Sequence, residues 1–278
     1  MPTWYRTSSI EVDLLKKNFK YFNENIQSGK RVNIVDVGAG NSYPVKNFIQ
    51  RLNKLGKINK YIALDISEEL LHLSKNNFRK WFPFIDFISS TIDIENSSIP
   101  KILFQNKASL EIDDTAKIFF HLGVTIGNHQ NRDEVLKNFR DSMGKNDFLV
   151  FTNETGSNSQ WDGNVRGGCK YHVEEIYGWV KNNIGIKSED CELVRKYDLK
   201  TDSIVANIKF SRNYIINLSR MGIDKKIEIS EGEEITIWRH HKYEIPKLLQ
   251  EIECSGLQLI HYNTDKYKSH IMVICAVR

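Results

Sequence analysis

An apolar run ending in an acid and two glycines, VNIVDVGAGNS at residues 32–42, constrains this chain more than any other segment. Val32 to Val37 reads as a buried strand, and Gly38-Ala39-Gly40 as the turn that leaves it. About thirty residues later a second apolar run ends in Asp65 within YIALDIS. Glycines at a strand end let the backbone pass close to a ligand. An acid at the tip of the next parallel strand can accept hydrogen bonds from a ribose diol. Together these make the nucleoside half of a Rossmann-like site.

The loop also says which nucleoside to expect. A pyrophosphate cofactor calls for G-x-G-x-x-G with its phosphates at the following helix N-terminus, but Tyr43 occupies the third glycine position. No Walker motif is present. A small adenosine ligand without phosphates, such as S-adenosylmethionine, fits better. Asp36 and the backbone of Gly38, Ala39 and Gly40 would then lie near its amino acid end, with Asp65 and the following Ile66 at the ribose and adenine. The alternative is a tight strand-to-helix turn that binds nothing.

Periodicity supports an α/β frame up to about residue 155. Helical spacing covers Glu11 to Asn25, a helix is expected from Pro44, and Ser67 is placed to cap another. Strands are expected at 32–37, 61–66, 84–88, 118–122 and 148–152, and Val135 to Phe139 lies on a further helix. Beyond Glu154, TGSNSQWDGNVRGGCK reads as a loop or lid. Then come a helix at 173–180, a strand at 203–210, an apolar helix at 214–221 and a strand pair at 226–230 and 234–239. A helix at 244–254 and strands at 257–262 and 271–277 close the chain. The expected organisation is a donor-binding domain of residues 1–155 and 236–278 with an inserted substrate-binding region at 156–235.

Several motifs resemble the histidine-specific methyltransferase family, which includes the ergothioneine-pathway histidine N-methyltransferases and the fungal dimethylallyltryptophan N-methyltransferases. HLGVTIGNHQNRDEVLKNF, residues 121–139, is similar to the family's L-G-S-T-I-G-N-F followed by a helix. DVGAGNS at 36–42, LDIS at 64–67, FSRN at 210–213 and GEEI with a following K-Y at 232–235 and 242–243 support it, and WYRTSSIE loosely matches Y-x-T-R-x-E. The resemblance implies a class I methyltransferase, with a Rossmann-like, seven-stranded doubly wound sheet and an inserted smaller substrate domain. It also implies S-adenosyl-L-methionine as cofactor, with no metal. In the LGVTIGN segment, Leu122 and Gly123 would approach the donor and Thr125 and Asn128 would supply polar atoms; the bland alternative is a strand connection satisfying its own backbone. Asp93 would lie near the adenine amino group with Ile92 against the ring, or else Asp93 caps its own turn.

Departures from the family concentrate on the acceptor side. Where the family carries T-E-x-S after G-E-x-I, this chain has GEEITIWRHHKY, which places Trp238 at the glutamate position and His240 at the serine position. An indole in place of a carboxylate argues against histidine as substrate. It favours an aromatic or cationic acceptor stacked on Trp238, with His240 as a polar contact or proton acceptor; alternatively Trp238 only fills space. The family asparagine for the substrate carboxylate falls at about Thr201, and the stretch carrying its companion tyrosine is almost absent. Trp161, Asp162, Arg166, Tyr171 and His172 are candidate replacements, and Arg166 or Arg239 would suit an anionic group.

The expected function is S-adenosylmethionine-dependent methylation, N-methylation above all, of a small amino-acid-derived or aromatic specialised metabolite. Peptide or protein side-chain methylation is one alternative, and a non-catalytic binding protein on this fold is another. A net charge of +4 over 278 residues, spread without a basic stripe, argues against a nucleic-acid partner. No apolar run is long enough to span a bilayer. Four cysteines without C-x-x-C pairing and no signal sequence suggest a cytoplasmic enzyme.

Overall fold

The computed structural model describes residues 6–26, 30–105, 115–163, 168–218 and 224–278. In chain order the elements are α1 (Arg6–Asn25), β1 (Val32–Val37), α2 (Lys46–Lys54), β2 (Ile58–Asp65), α3 (Glu68–Trp81), β3 (Asp86–Thr91), β4 (Lys117–His121), α4 (Arg132–Ser142) and β5 (Phe148–Glu154). They continue as α5 (Gly168–Ile184), β6 (Cys191–Asp198), β7 (Ser203–Phe210), β8 (Tyr214–Asn217), β9 (Lys226–Ile229), β10 (Glu234–His240), α6 (Ile245–Cys254), β11 (Leu257–Thr264) and β12 (His270–Val277). The chain divides into two compact units, one built from Arg6–Gly156 and Tyr243–Arg278, the other containing Ser157–Lys242.

In the larger unit seven strands form one sheet in the order β11-β12-β5-β4-β1-β2-β3. The inner strands run parallel, while β12 is antiparallel to both β5 and β11. Alternation along β1 accounts for the two layers. Val32 and Ile34 join a core with Leu15, Phe22, Phe48 and Phe78 from α1, α2 and α3. Val35 and Val37 join the opposite core with Leu136, Phe139, Leu248 and Ile252 from α4 and α6. Phe120 of β4 stands at the centre of the first layer, its ring 5.2 Å from Phe48 and 6.4 Å from Phe22. The reversal of strand order at β1 and β4 opens a crevice at the carboxyl ends of these strands, the general ligand position of such sheets.

The smaller unit has a three-stranded sheet, β10-β7-β6, a hairpin of β8 and β9, and the helix α5. Its core gathers Ile186, Ile208, Phe210, Ile216 and Ile229, with Tyr177 and Val180 of α5 packed against them. Asn158 ties the two ends of this segment together: its side chain accepts from the Lys242 amide at 2.8 Å and donates to the Lys242 carbonyl at 2.9 Å.

Several expected elements are corrected. Tyr214 to Met221 was expected as a helix from its apolar spacing, but Tyr214–Asn217 is β8, paired with β9, and Ile216 is buried between exposed neighbours. Met221 lies outside the described residues. β9 and β10 exist but do not pair with each other, because β10 takes β7 as its partner. β6 was not expected; its mixed sequence CELVRKYD shows little alternation. α5 begins at Gly168, inside the segment expected as loop. The compact smaller unit extends to Lys242, beyond the expected boundary at 235/236, because pairing with β7 draws β10 into it.

Candidate active site

The turn after β1 uses left-handed backbone at Gly38 (φ 73°), Gly40 (φ 52°) and Ser42 (φ 57°). This lets the Gly38 and Ala39 amides both donate to the Leu64 carbonyl of β2, at 2.8 and 3.1 Å. A side chain on Gly38 would meet the His121 ring and the Thr125 methyl group, whereas one on Gly40 would meet nothing within 4 Å, so the loop is open on the Gly40 side. Asp65, at the tip of β2, accepts the Gly40 amide on one oxygen at 2.9 Å and the Ser67 amide on the other at 3.0 Å. Each oxygen keeps a lone pair for a further donor. Ile66 beside it is 74% exposed, an apolar face with no protein cover.

Asp36 lies beneath the loop, buried. Its carboxyl accepts the Tyr61 hydroxyl, which also contacts the Ser42 hydroxyl, itself bonded to Ser74. Burial pushes Asp36 up to about 7, against the Tyr61 hydrogen bond and with Asp65 and Glu11 adding like-charge repulsion. Glu11 of α1 is one residue that sequence reasoning missed. It is 1% exposed, accepts the Gly123 amide, and takes the Thr152 hydroxyl of β5 at 2.5 Å. Desolvation raises it to about 7, opposed by the Thr152 and backbone Gly123 and Val124 hydrogen bonds. Two signals were available: the glutamate of WYRTSSIE, and an acid sharing a helix stripe with Leu14, Leu15 and Phe22.

After Leu122, the segment that follows β4 turns through Gly123 (φ 88°) and Val124 (φ 55°), then makes one 3₁₀ turn over Thr125–Asn128. The Thr125 hydroxyl donates to the Leu122 carbonyl, while Asn128 is exposed. His121 sits under the Gly38 loop with Nδ1 2.9 Å from the Val37 carbonyl. Asp93 uses its carboxylate in its own turn, accepting the Glu95 amide at 3.1 Å and the Asn96 side chain at 2.6 Å. Ile92, adjoining it, donates its amide to the Asp65 carbonyl.

Trp238 and His240 belong to the smaller unit. On β10 they pair with Ala206 and Ile204, whereas the intervening Arg239 pairs with Val205, so Arg239 projects from the opposite face. The two rings stack, with centroids 5.7 Å apart and planes 19° apart. Arg239 is committed to Asp198 at 3.2 Å and to the Thr201 hydroxyl. Hydrogen bonds from Thr201 and Arg239, partly offset by desolvation, hold Asp198 below the usual carboxylate range. Arg166 lies outside the described residues; Tyr171 and His172 are on the first turns of α5, and the Trp161 amide donates to the Asn158 carbonyl. Among the described residues no cluster of His, Cys, Asp or Glu could hold a metal, and no helix is long and apolar enough to cross a membrane.

Does this crevice suit S-adenosylmethionine? The open glycine turn, the spare acceptor capacity of Asp65 and the uncovered Ile66 match a ribose and an adenine. Two acids, Asp65 and Glu11, stand close enough to Asp36 to raise it further beyond the effect of burial, and three acids at one edge favour a ligand carrying positive charge. The residues fit the group.

A seven-stranded sheet of this order with such a crevice defines a class I, S-adenosylmethionine-dependent methyltransferase. A family profile described as histidine-specific methyltransferase, SAM-dependent, matches residues 1–160, more than half of the chain, and the chain belongs to that family. The fold is similar to that of a S-adenosylmethionine-dependent methyltransferase from Clostridium acetobutylicum ATCC 824, with a TM-score of 0.52 at 11% identity over 95% of this chain and 90% of that one. PH0226 protein from Pyrococcus horikoshii OT3 matches with a TM-score of 0.52 and 11% identity over 100% and 96%. The citrinin polyketide synthase CMeT domain matches at 0.51 and 14% identity, over 95% of this chain and 52% of that one. No curated protein matches the chain.

Proposed function

We propose that this methyltransferase N-methylates a small aromatic or amino-acid-derived acceptor and does not act on free histidine. The observation that carries the reading is the stacked Trp238–His240 pair on β10; aligning the motif GEEITIWRHHKY on the family's G-E-x-I sets these two against a glutamate and a serine. A carboxylate there would suit a cationic or N–H-bearing imidazole; an indole face suits a flat ring or an organic cation. In this reading Asp65 accepts the ribose hydroxyls, Ile66, Ile92 and Asp93 border the adenine, and the Gly38-Ala39-Gly40 and Leu122, Gly123, Thr125 and Asn128 backbones hold the methionine end. Asp36 supports the loop from below through Tyr61 and Ser42.

The bound donor supplies an electrophilic methyl group on a sulfonium. What remains for the protein is positioning and proton handling. Trp238 orients the acceptor ring, and His240 takes the proton that a primary or secondary ammonium must lose before its lone pair is free. The test is transfer of isotopically labelled methyl from donor to a panel of arylalkylamines, aromatic amino acid derivatives and free histidine. Labelling of aromatic amines with none on histidine supports the proposal; rapid methylation of free histidine overturns it.

A further inference from the structure

His121, His129 and Glu95 form a hydrogen-bonded chain linking three loops at the carboxyl edge of the large sheet. His121 Nδ1 faces the Val37 carbonyl at 2.9 Å, and its Nε2 faces His129 Nε2 at 3.3 Å. His129 Nδ1 meets Glu95 Oε2 at 3.1 Å, and the other Glu95 oxygen accepts the Asn131 amide at 2.8 Å. The two imidazoles lie nearly parallel, 5.4 Å apart, with Phe139 of α4 against His121 at 5.2 Å. The chain thus connects the end of β1, just before the glycine turn, with the segments that follow β3 and β4.

Counting hydrogens gives this chain a property that its members lack singly. A carbonyl only accepts, so His121 Nδ1 carries hydrogen. His121 is 1% exposed, and burial, with His129 alongside, holds it down to about 3, so it is neutral and its Nε2 accepts. The hydrogen between the rings therefore belongs to His129 Nε2. The contact between His129 Nδ1 and Glu95 needs another, carried either by the imidazole or by the carboxyl group. The trio holds one proton more than two neutral imidazoles and a carboxylate would. Loss of that proton leaves one of its contacts without hydrogen and disconnects two donor loops.

We infer that His129, acting with Glu95 and His121, is a positioning residue that couples donor binding to retention of a single proton. This rests on the donor site described above. The protonated trio holds the turn after β1 and the segments after β3 and β4 together, so donor affinity falls as that proton is lost with rising pH. The groups facing His129 are His121 from β4 and Glu95 from the segment after β3; α4 presents the uncharged Phe139, and Asp133 and Glu134 occupy its first turn, the latter bonded to Lys137. Glu11 and Asp36 also titrate at this edge. Their ionisation favours a cationic donor at higher pH, the opposite trend, so the neutral demethylated donor is the better probe.

The experiment is calorimetric titration of the intact protein with S-adenosylhomocysteine from about pH 5.5 to about pH 9, on wild type, His129→Phe and His129→Gln. Phenylalanine ends the corresponding family motif L-G-S-T-I-G-N-F, and glutamine can donate to His121 without titrating. Wild type should lose about fivefold or more in affinity across the range relative to both variants, which keep the contributions of Glu11 and Asp36 and so serve as the baseline, with His129→Gln the tighter of the two. Buffers of different ionisation enthalpy should also show proton uptake on binding by wild type that both variants lack. Should His129→Phe not fold, His129→Gln carries the comparison alone. Parallel pH profiles in wild type and variants would overturn the inference while leaving the donor site intact; absence of binding by wild type at every pH would overturn both.

Discussion

The two units differ in what holds their functional residues in place. In the larger unit the site is mostly backbone: amides of Gly38, Ala39 and Gly40 fixed on Leu64 and Asp65, with buried carboxyls beneath. In the smaller unit the candidate acceptor residues are two side chains on one strand, Trp238 and His240. Only the first pattern lies within the family match, which covers residues 1–160 and stops near the start of the smaller unit. Backbone sites tolerate little change, because their geometry depends on left-handed glycines; side-chain sites can be rebuilt one substitution at a time.

The two units should differ most in their response to pH. Glu11 and Asp36, raised from 4.5 and 3.8 to about 7, bind protons more tightly in the folded chain than in the unfolded one. Their contribution to stability is complete below about pH 4 and is lost as pH rises through about 7, at most on the order of 3 kcal/mol for Glu11 and about 4 kcal/mol for Asp36. Urea denaturation without donor should therefore show lower stability at about pH 8 than at about pH 5, and Glu11→Gln should flatten its share of that slope. A variant with the wild-type slope would show that Glu11 does not contribute to it.

Next in size is Asp65, the proposed ribose acceptor. Asp65→Ala should weaken donor binding by about 1.5–3 kcal/mol, the scale for hydrogen bonds to a charged group, as read by calorimetry on folded protein. Unchanged affinity would refute the role given to Asp65. In the smaller unit, Trp238→Ala should lower turnover at least about tenfold, near 1.4 kcal/mol, while donor affinity stays within about threefold. His240→Ala should also change the pH dependence of turnover if the imidazole takes the amine proton, and should only raise KM if it is a passive contact. Equal losses of donor binding in Trp238→Ala and Asp65→Ala would abolish the division of labour. The smallest effect belongs to Ser67, whose hydroxyl accepts the Leu70 amide at the start of α3. Ser67→Ala should cost about 0.5–1 kcal/mol of stability in thermal melts and leave acceptor kinetics unchanged.

What could be read from the residues follows the same division. The glycine turn, Asp65 and the LGVTIGN segment were legible because each is local: a few adjacent residues determine the backbone they need. Glu11 left only the loose WYRTSSIE match and its helix stripe as signals; its place in the site was hidden, since its partners Gly123 and Thr152 lie over a hundred residues away and no spacing rule connects them. The His121–His129–Glu95 chain escaped for a similar reason, because Glu95 comes from a different loop. β8 looked helical because Tyr214, Leu218 and Met221 are three or four apart; pairing with β9 overrides that local preference. Asp36 was identified, but its burial under Tyr61 depends on an aromatic contributed by the neighbouring strand.

The clasp between Asn158 and Lys242 bears on how the chain is made as well as on how it stands. β5 and β12 are neighbours in the large sheet, yet all of Ser157–Lys242 is synthesised between them. Closing an unstructured stretch of that length costs about 4 kcal/mol of chain entropy. Once its ends are joined through Asn158, the intervening segment presents a much shorter effective loop to the closing sheet. A nascent chain can thus complete the inner segment first and dock its last strands afterwards with little search. Loss of the Asn158 amide would register first as slow refolding of the whole protein.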